Sequence, residues 1–167
     1  MTRARDVADS ALVHIATEDF SAVSTVSLNN VFSSAYDNYK IVLEITTSTV
    51  AQSLMQLKVS GTDATGANYS SKANNLSSTF GNTNDYVNTT SWAFYASTTA
   101  DIYREMFLAR PNTTKTTYGH AFGSVGTSGT ITENGFSHNL TTAYDGFKLF
   151  PNTGTITGYV KVYGYRN

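Results

Sequence analysis

Three histidines, His14, His120 and His138, are the side chains best suited to acid–base or metal chemistry near neutral pH, since only imidazole titrates there unperturbed. Long intervals separate them, and none stands in a metal-ligand motif or beside a nucleophile. His120 alternates with Tyr118 and Phe122, which marks a packed or surface position on a strand; a zinc site drawn from all three histidines is the open alternative. The acids are scattered. Glu18 beside Asp19, and Asp6 near Asp9, lack the spacing of a calcium loop or the isolation of a tuned acid–base couple. Residues 61–66, GTDATG, are oxygen-rich but short of a full ligand set, and read as a turn. The absence of cysteine removes disulfides, thiolate catalysis and Cys-ligated zinc together. The expectation is a chain with no catalytic residue, no metal and no cofactor.

Binding chemistry is better supplied. Tyr69, Tyr86, Trp92 and Tyr95 lie among Asn and Thr, and aromatic faces in such company stack on sugars or anchor protein interfaces. Core packing is the expected role of Trp92 and of at least one tyrosine. The polar stretch 61–90 with Tyr69 and Tyr86 is expected at a subunit or receptor contact. Asn-x-Ser/Thr sites at Asn68, Asn75, Asn88, Asn112 and Asn139 follow from a composition rich in those residues, and with no secretory leader apparent they are not expected to carry glycans.

The elements that must position these residues are strands. Only 14% of the 167 residues are charged, while Thr, Val, Tyr and Phe suit a pleated half-buried surface and Asn, Gly and Ser supply turns. A net charge of −1 without a basic cluster makes nucleic acid an unexpected partner, and no stretch is long and apolar enough for membrane insertion. In 39–46, Tyr39, Ile41, Leu43 and Ile45 share one face; in 54–60, Met55, Leu57 and Val59 point inward against Gln56 and Lys58. Further strands are expected at 12–15, 23–28, 91–95, 101–110, where Ile102, Arg104, Met106 and Leu108 alternate, and 116–122. The glycine-rich 123–129 reads as a turn, 61–90 as a polar connection with one short strand near Tyr69, and 146–163 as a hairpin about the turn 151–154. Residues 2–9 could form one helical turn that needs a partner. The pattern predicts an all-β, two-sheet antiparallel β-sandwich, a jelly roll, over 11–167 as a single domain.

Two segments, VFSSAYDNYKIVL at 31–43 and GTITGYVKVYGYRN at 154–167, resemble the F-x-x-x-Y-D-N-Y-x-I-x-L and G-x-V-x-V-Y-G frame of small β-sandwich virion proteins of tailed phages, marine and cyanobacterial ones included. Arg3 to Asp6 are similar to the start of such chains. The resemblance implies a virion structural protein made in a host cytoplasm and displayed as a capsid decoration, head fibre or tail-fibre knob. Its implied partners are other virion proteins and copies of itself in a homotrimer. Separately, the helical, charged composition of residues 1–10 outside the alternating region makes them an expected docking segment, with Arg3, Arg5 and Asp6 as contacts to another virion protein. A host-receptor or carbohydrate-binding module that takes a surface glycan is the alternative.

Overall fold

The computed structural model describes residues 12–48, 52–76, 82–95, 101–126 and 130–166. In chain order the strands are β1 (Leu12–Val23), β2 (Val26–Leu28), β3 (Asn38–Ser48), β4 (Gln52–Val59), β5 (Thr62–Asp63), β6 (Tyr69–Leu76), β7 (Asn82–Thr89), β8 (Trp92–Tyr95), β9 (Ile102–Ala109), β10 (Thr117–Val125), β11 (Thr130–His138), β12 (Gly146–Pro151) and β13 (Ile156–Tyr165). An eight-stranded sheet runs β1-β13-β3-β9-β10-β11-β6-β7. A five-stranded sheet runs β2-β12-β4-β5, with β8 also paired to β4. Every pairing is antiparallel. The protein is an all-β, two-sheet antiparallel sandwich. The chain wraps repeatedly from one sheet to the other, in jelly-roll fashion, but β9, β10 and β11 form a meander within the large sheet.

Alternation builds the core as the sequence predicts. Tyr39, Ile41, Leu43 and Ile45 of β3 and Ile102, Met106 and Leu108 of β9 are buried, facing Met55, Leu57, Trp92, Phe94, Phe147 and Leu149 of the small sheet. Each such side chain contributes about 1.5–3 kcal/mol by leaving water. The two segments that carry the family resemblance are neighbours in space. Tyr39 pairs with Gly164, and the Tyr36 ring lies so near Gly164 that a Cβ there would fall 2.5 Å from it. The Tyr39 hydroxyl closes the preceding turn, accepting from the Ser33 amide at 2.7 Å and donating to the Ser33 carbonyl at 2.9 Å.

Several expectations are corrected. The polar stretch 61–90 is not a long connection with one short strand: it holds β5, β6 and β7, with β6 paired to β11 and β7 to β6. Backbone ladders hold these strands, so an apolar repeat was not needed to make them. The Gly-rich 123–129 is not all turn, for β10 continues to Val125. The closing segment is not a hairpin either. β12 pairs with β2 and β4 in the small sheet and β13 with β1 and β3 in the large one, so the turn at 151–154 crosses the core and sets Phe147 and Leu149 on the sheet facing Val160 and Val162. Gln56 and Lys58 were expected on a wet face, yet both are buried. The Gln56 amide donates to the Thr90 carbonyl at 2.8 Å, and Lys58 pairs with Asp63 at 2.8 Å. The helical turn expected at 2–9 lies outside the described residues.

Candidate functional site

β10 inverts the usual rule that large residues face the core. Its inward positions are Thr117, Gly119, Ala121, Gly123 and Val125, and its outward positions are Tyr118, His120 and Phe122. The cause is visible beneath the strand, where neighbours fill the interior. A Cβ on Gly119 would meet the Phe136 ring at 2.1 Å, and one on Gly123 would meet the Arg104 side chain at 2.9 Å. Arg104 is fully buried, and its Nη1 donates to Thr132 at 2.9 Å and to Asn134 at 3.0 Å. Burial lowers its guanidinium to about 10, still far above neutrality.

The consequence is an aromatic outer face on the large sheet. Tyr118 is 48% exposed, Phe122 51% and Tyr103 40%. One row of register partners crosses all eight strands: His14, Tyr163, Lys40, Phe107, His120, Gly135, Lys72 and Asp85. Within it the His120 ring stacks on Phe107 at 5.4 Å and 21°, and His14 meets Tyr163 edge-on at 5.4 Å. In the next rows Glu105 accepts from Lys40 at 2.9 Å and from the Tyr103 hydroxyl at 2.8 Å. Those contacts hold the Glu105 carboxyl below its ordinary range, while the hydrogen bond to Glu105 pushes the Tyr103 phenol up to about 12.

On the β10, β11 and β6 side this face dips into a groove of about 400 Å³ lined by His120, Phe122, Glu133, Gly135, Lys72 and Asn74. Gly135 forms the dip: a Cβ there would meet nothing within 4 Å. Lys72 on the far bank is paired with Asp85 at 3.1 Å. The arrangement offers ring faces, hydrogen-bond donors and acceptors in a shallow trough. Among the described residues no cluster of three or more His, Cys, Asp or Glu could hold a metal ion.

Those site residues expected from sequence whose side chains the structure describes fall elsewhere. Tyr69 is in the core, corrected from a contact residue. Its hydroxyl accepts from the Leu57 amide at 2.9 Å and donates to the Ala64 carbonyl at 2.8 Å, and burial drives its phenol above the usual range. Trp92 is likewise fully buried against Tyr69 and Phe136 and donates to the Ser137 carbonyl at 2.7 Å, so it fills the core role rather than that of a ligand contact. Tyr86 is half-buried and its hydroxyl accepts from the Gln52 amide at 2.8 Å, which ties β7 to the small sheet. The side chain of Tyr95, and all of Arg3, Arg5 and Asp6, lie outside what the structure describes. His138 is a core residue between Tyr69 and Tyr144. The outer-face residues Tyr103, Phe107, Tyr118, Phe122, Glu133, Gly135 and Lys72 were not singled out, although the alternation of large Tyr118, His120 and Phe122 with small Thr117, Gly119 and Ala121 was legible.

The fold defines a two-sheet β-sandwich protein with one exposed aromatic sheet face. No protein-family model and no curated protein matches the chain. Among solved structures a galectin of Caenorhabditis elegans is similar over 87% of this chain and 94% of that one, at 6% identity and a TM-score of 0.38.

Proposed function

We propose that this chain is a non-catalytic structural protein of a phage virion surface, a capsid decoration, head fibre or tail-associated knob, that acts by docking the outer face of its large sheet on neighbouring virion proteins. The observation that carries the binding role is the inverted strand β10, which turns Tyr118, His120 and Phe122 to solvent while smaller residues face the core. Exposed rings grouped on one face gain by being covered, and large aromatics dominate the energetics of such contacts. The virion setting comes from the resemblance of residues 31–43 and 154–167. Homotrimeric assembly fits a disulfide-free sandwich whose large sheet ends in the edge strands β1 and β7. The test is Tyr103→Ala with Tyr118→Ala, read by incorporation into particles and by light scattering. The reading predicts a folded chain that fails to incorporate; normal incorporation and an unchanged oligomeric state would refute it.

The second reading, a host-receptor or carbohydrate-binding module, is favoured by a different observation, the groove of mixed polar and apolar lining around Gly135. Copy number separates the two. Labelling of intact particles would find a decoration protein in hundreds of lattice-ordered copies and a receptor module at few tail sites.

A further inference from the structure

The groove on β10, β11 and β6 has a regular construction. Two rows of register partners make it: His120, Gly135 and Lys72 in one, Phe122, Glu133 and Asn74 in the next. Neighbouring strands stand about 4.8 Å apart, so the banks, two strands away from each other, enclose roughly the width of one small ring. The central position of the first row is the glycine, and its missing side chain makes the floor. The volume, about 400 Å³, lies in the range of small-molecule sites.

The residues also restrict what fits. Phe122, 51% exposed on one bank, supplies an apolar ring face, and His120 beside it is held in place by its stack on Phe107. Across the trough Lys72 and Asn74 bring N–H donors and Asn74 and Glu133 bring acceptors. An anionic ligand would meet the Glu133 carboxylate on the floor. A cation would meet Lys72. A hydroxyl group both donates and accepts, so a neutral ring bearing several hydroxyls and one apolar face satisfies this mixed set where a charged group does not. Resting on the second reading, that of a carbohydrate-binding module with this groove open, we infer that the groove is a subsite for a neutral pyranoside, whose apolar face stacks on Phe122 and whose hydroxyls bond Glu133, Asn74, Lys72 and His120.

The test is a titration of the full isotope-labelled chain with the methyl glycosides of glucose, galactose, mannose and N-acetylglucosamine, followed by backbone amide shifts. Glucosamine and the methyl glycoside of sialic acid serve as charged probes. At least one neutral glycoside is expected to shift the amides of Asn74, Phe122, Glu133 and Gly135 with a Kd on the order of 1 mM, and the charged probes to bind more weakly. Gly135→Val fills the floor at a position where a Cβ meets nothing within 4 Å and suits a strand, so the variant should keep a folded spectrum and lose affinity by about tenfold or more. Phe122→Ala should do the same. Absence of shifts with every neutral glycoside, shifts centred elsewhere, a preference for a charged probe, or undiminished binding by folded Gly135→Val would each overturn the inference. Incorporation of Gly135→Val into particles reads the docking proposal separately, because Tyr103 lies outside the groove and is unaltered.

Discussion

Arg104 of β9 passes beneath Gly123 of β10 to reach Asn134 of β11, donating to its Oδ1 at 3.0 Å and to Thr132 at 2.9 Å, with the Phe94 ring 5.9 Å from the guanidinium carbon. A charged side chain thus spans three strands inside the sandwich. It can do so only because β10 presents no side chain at that point.

Gly123→Ala should therefore destabilise the protein by about 1–3 kcal/mol, the usual cost of overfilling a packed interior. The added Cβ would stand 2.1 Å from the Tyr103 carbonyl oxygen and 2.9 Å from Arg104 Cγ. Urea unfolding measures the loss. Gly135→Ala, on the opposite side of the same sheet and in open space, is the control and should change stability by less than about 0.5 kcal/mol.

His138 gives the fold an acid sensitivity in a defined window. Burial lowers its imidazole to about 4, with the backbone of Leu140 acting in the opposite sense. Above pH 6.5 both folded and unfolded states hold it neutral. As pH falls below that value the unfolded state takes up a proton that the folded state refuses, so stability declines until about pH 4. Between pH 7.5 and 5 this should remove about 1–2 kcal/mol, and His138→Phe should flatten that part of the curve in denaturant titrations.

Asp63 acts in a lower window. Burial alone would raise its carboxyl, but hydrogen bonds from Lys148 and Lys58, together with their charges, outweigh it and bring it below 3.8. Its contribution is complete above the unfolded value and fades as pH drops below 3.8 toward the folded one. Asp63→Asn should cost about 1–3 kcal/mol at pH 7, since it leaves the buried Lys58 ammonium without its anion. Thermal melts at pH 7 and pH 3 should show the variant's deficit shrinking in acid.

Tyr69→Phe tests whether the core tyrosine serves as a polar strut. Its hydroxyl satisfies the Leu57 amide and the Ala64 carbonyl, joining the large sheet to the small one at the β4–β5 turn. Removing only the oxygen should cost about 1–3 kcal/mol and speed amide exchange at Leu57 and Ala64. Unchanged exchange there would mean that the phenol is a filler alone.

How far the fold was legible follows from these elements. The alternation of Tyr39, Ile41, Leu43 and Ile45 identified β3 and its buried face, because a period of two on a pleated strand leaves one solution for the core side. The sequence placed a short strand near Tyr69, where β6 begins, but showed neither its full length nor β7 and β11. β6 and β11 turn Ser71, Thr132, Asn134 and His138 inward and are held by ladders between strands distant in sequence. Alternation misled on the closing segment, since the apolar faces of β12 and β13 read alike whether the two strands pair or oppose each other across a core.

The sequence alone determined that the chain would be strands, that its disulfide-free core would be aliphatic and aromatic, and that Trp92 would be inside it; those properties depend on residue type and local period. Only the tertiary structure decided which aromatics are left for binding. Tyr69 went to the core and Tyr118 and Phe122 to the surface, because Arg104 and Phe136, brought from β9 and β11, already occupy the space under β10. That competition for interior volume is between residues far apart in the chain, and no local pattern records its outcome.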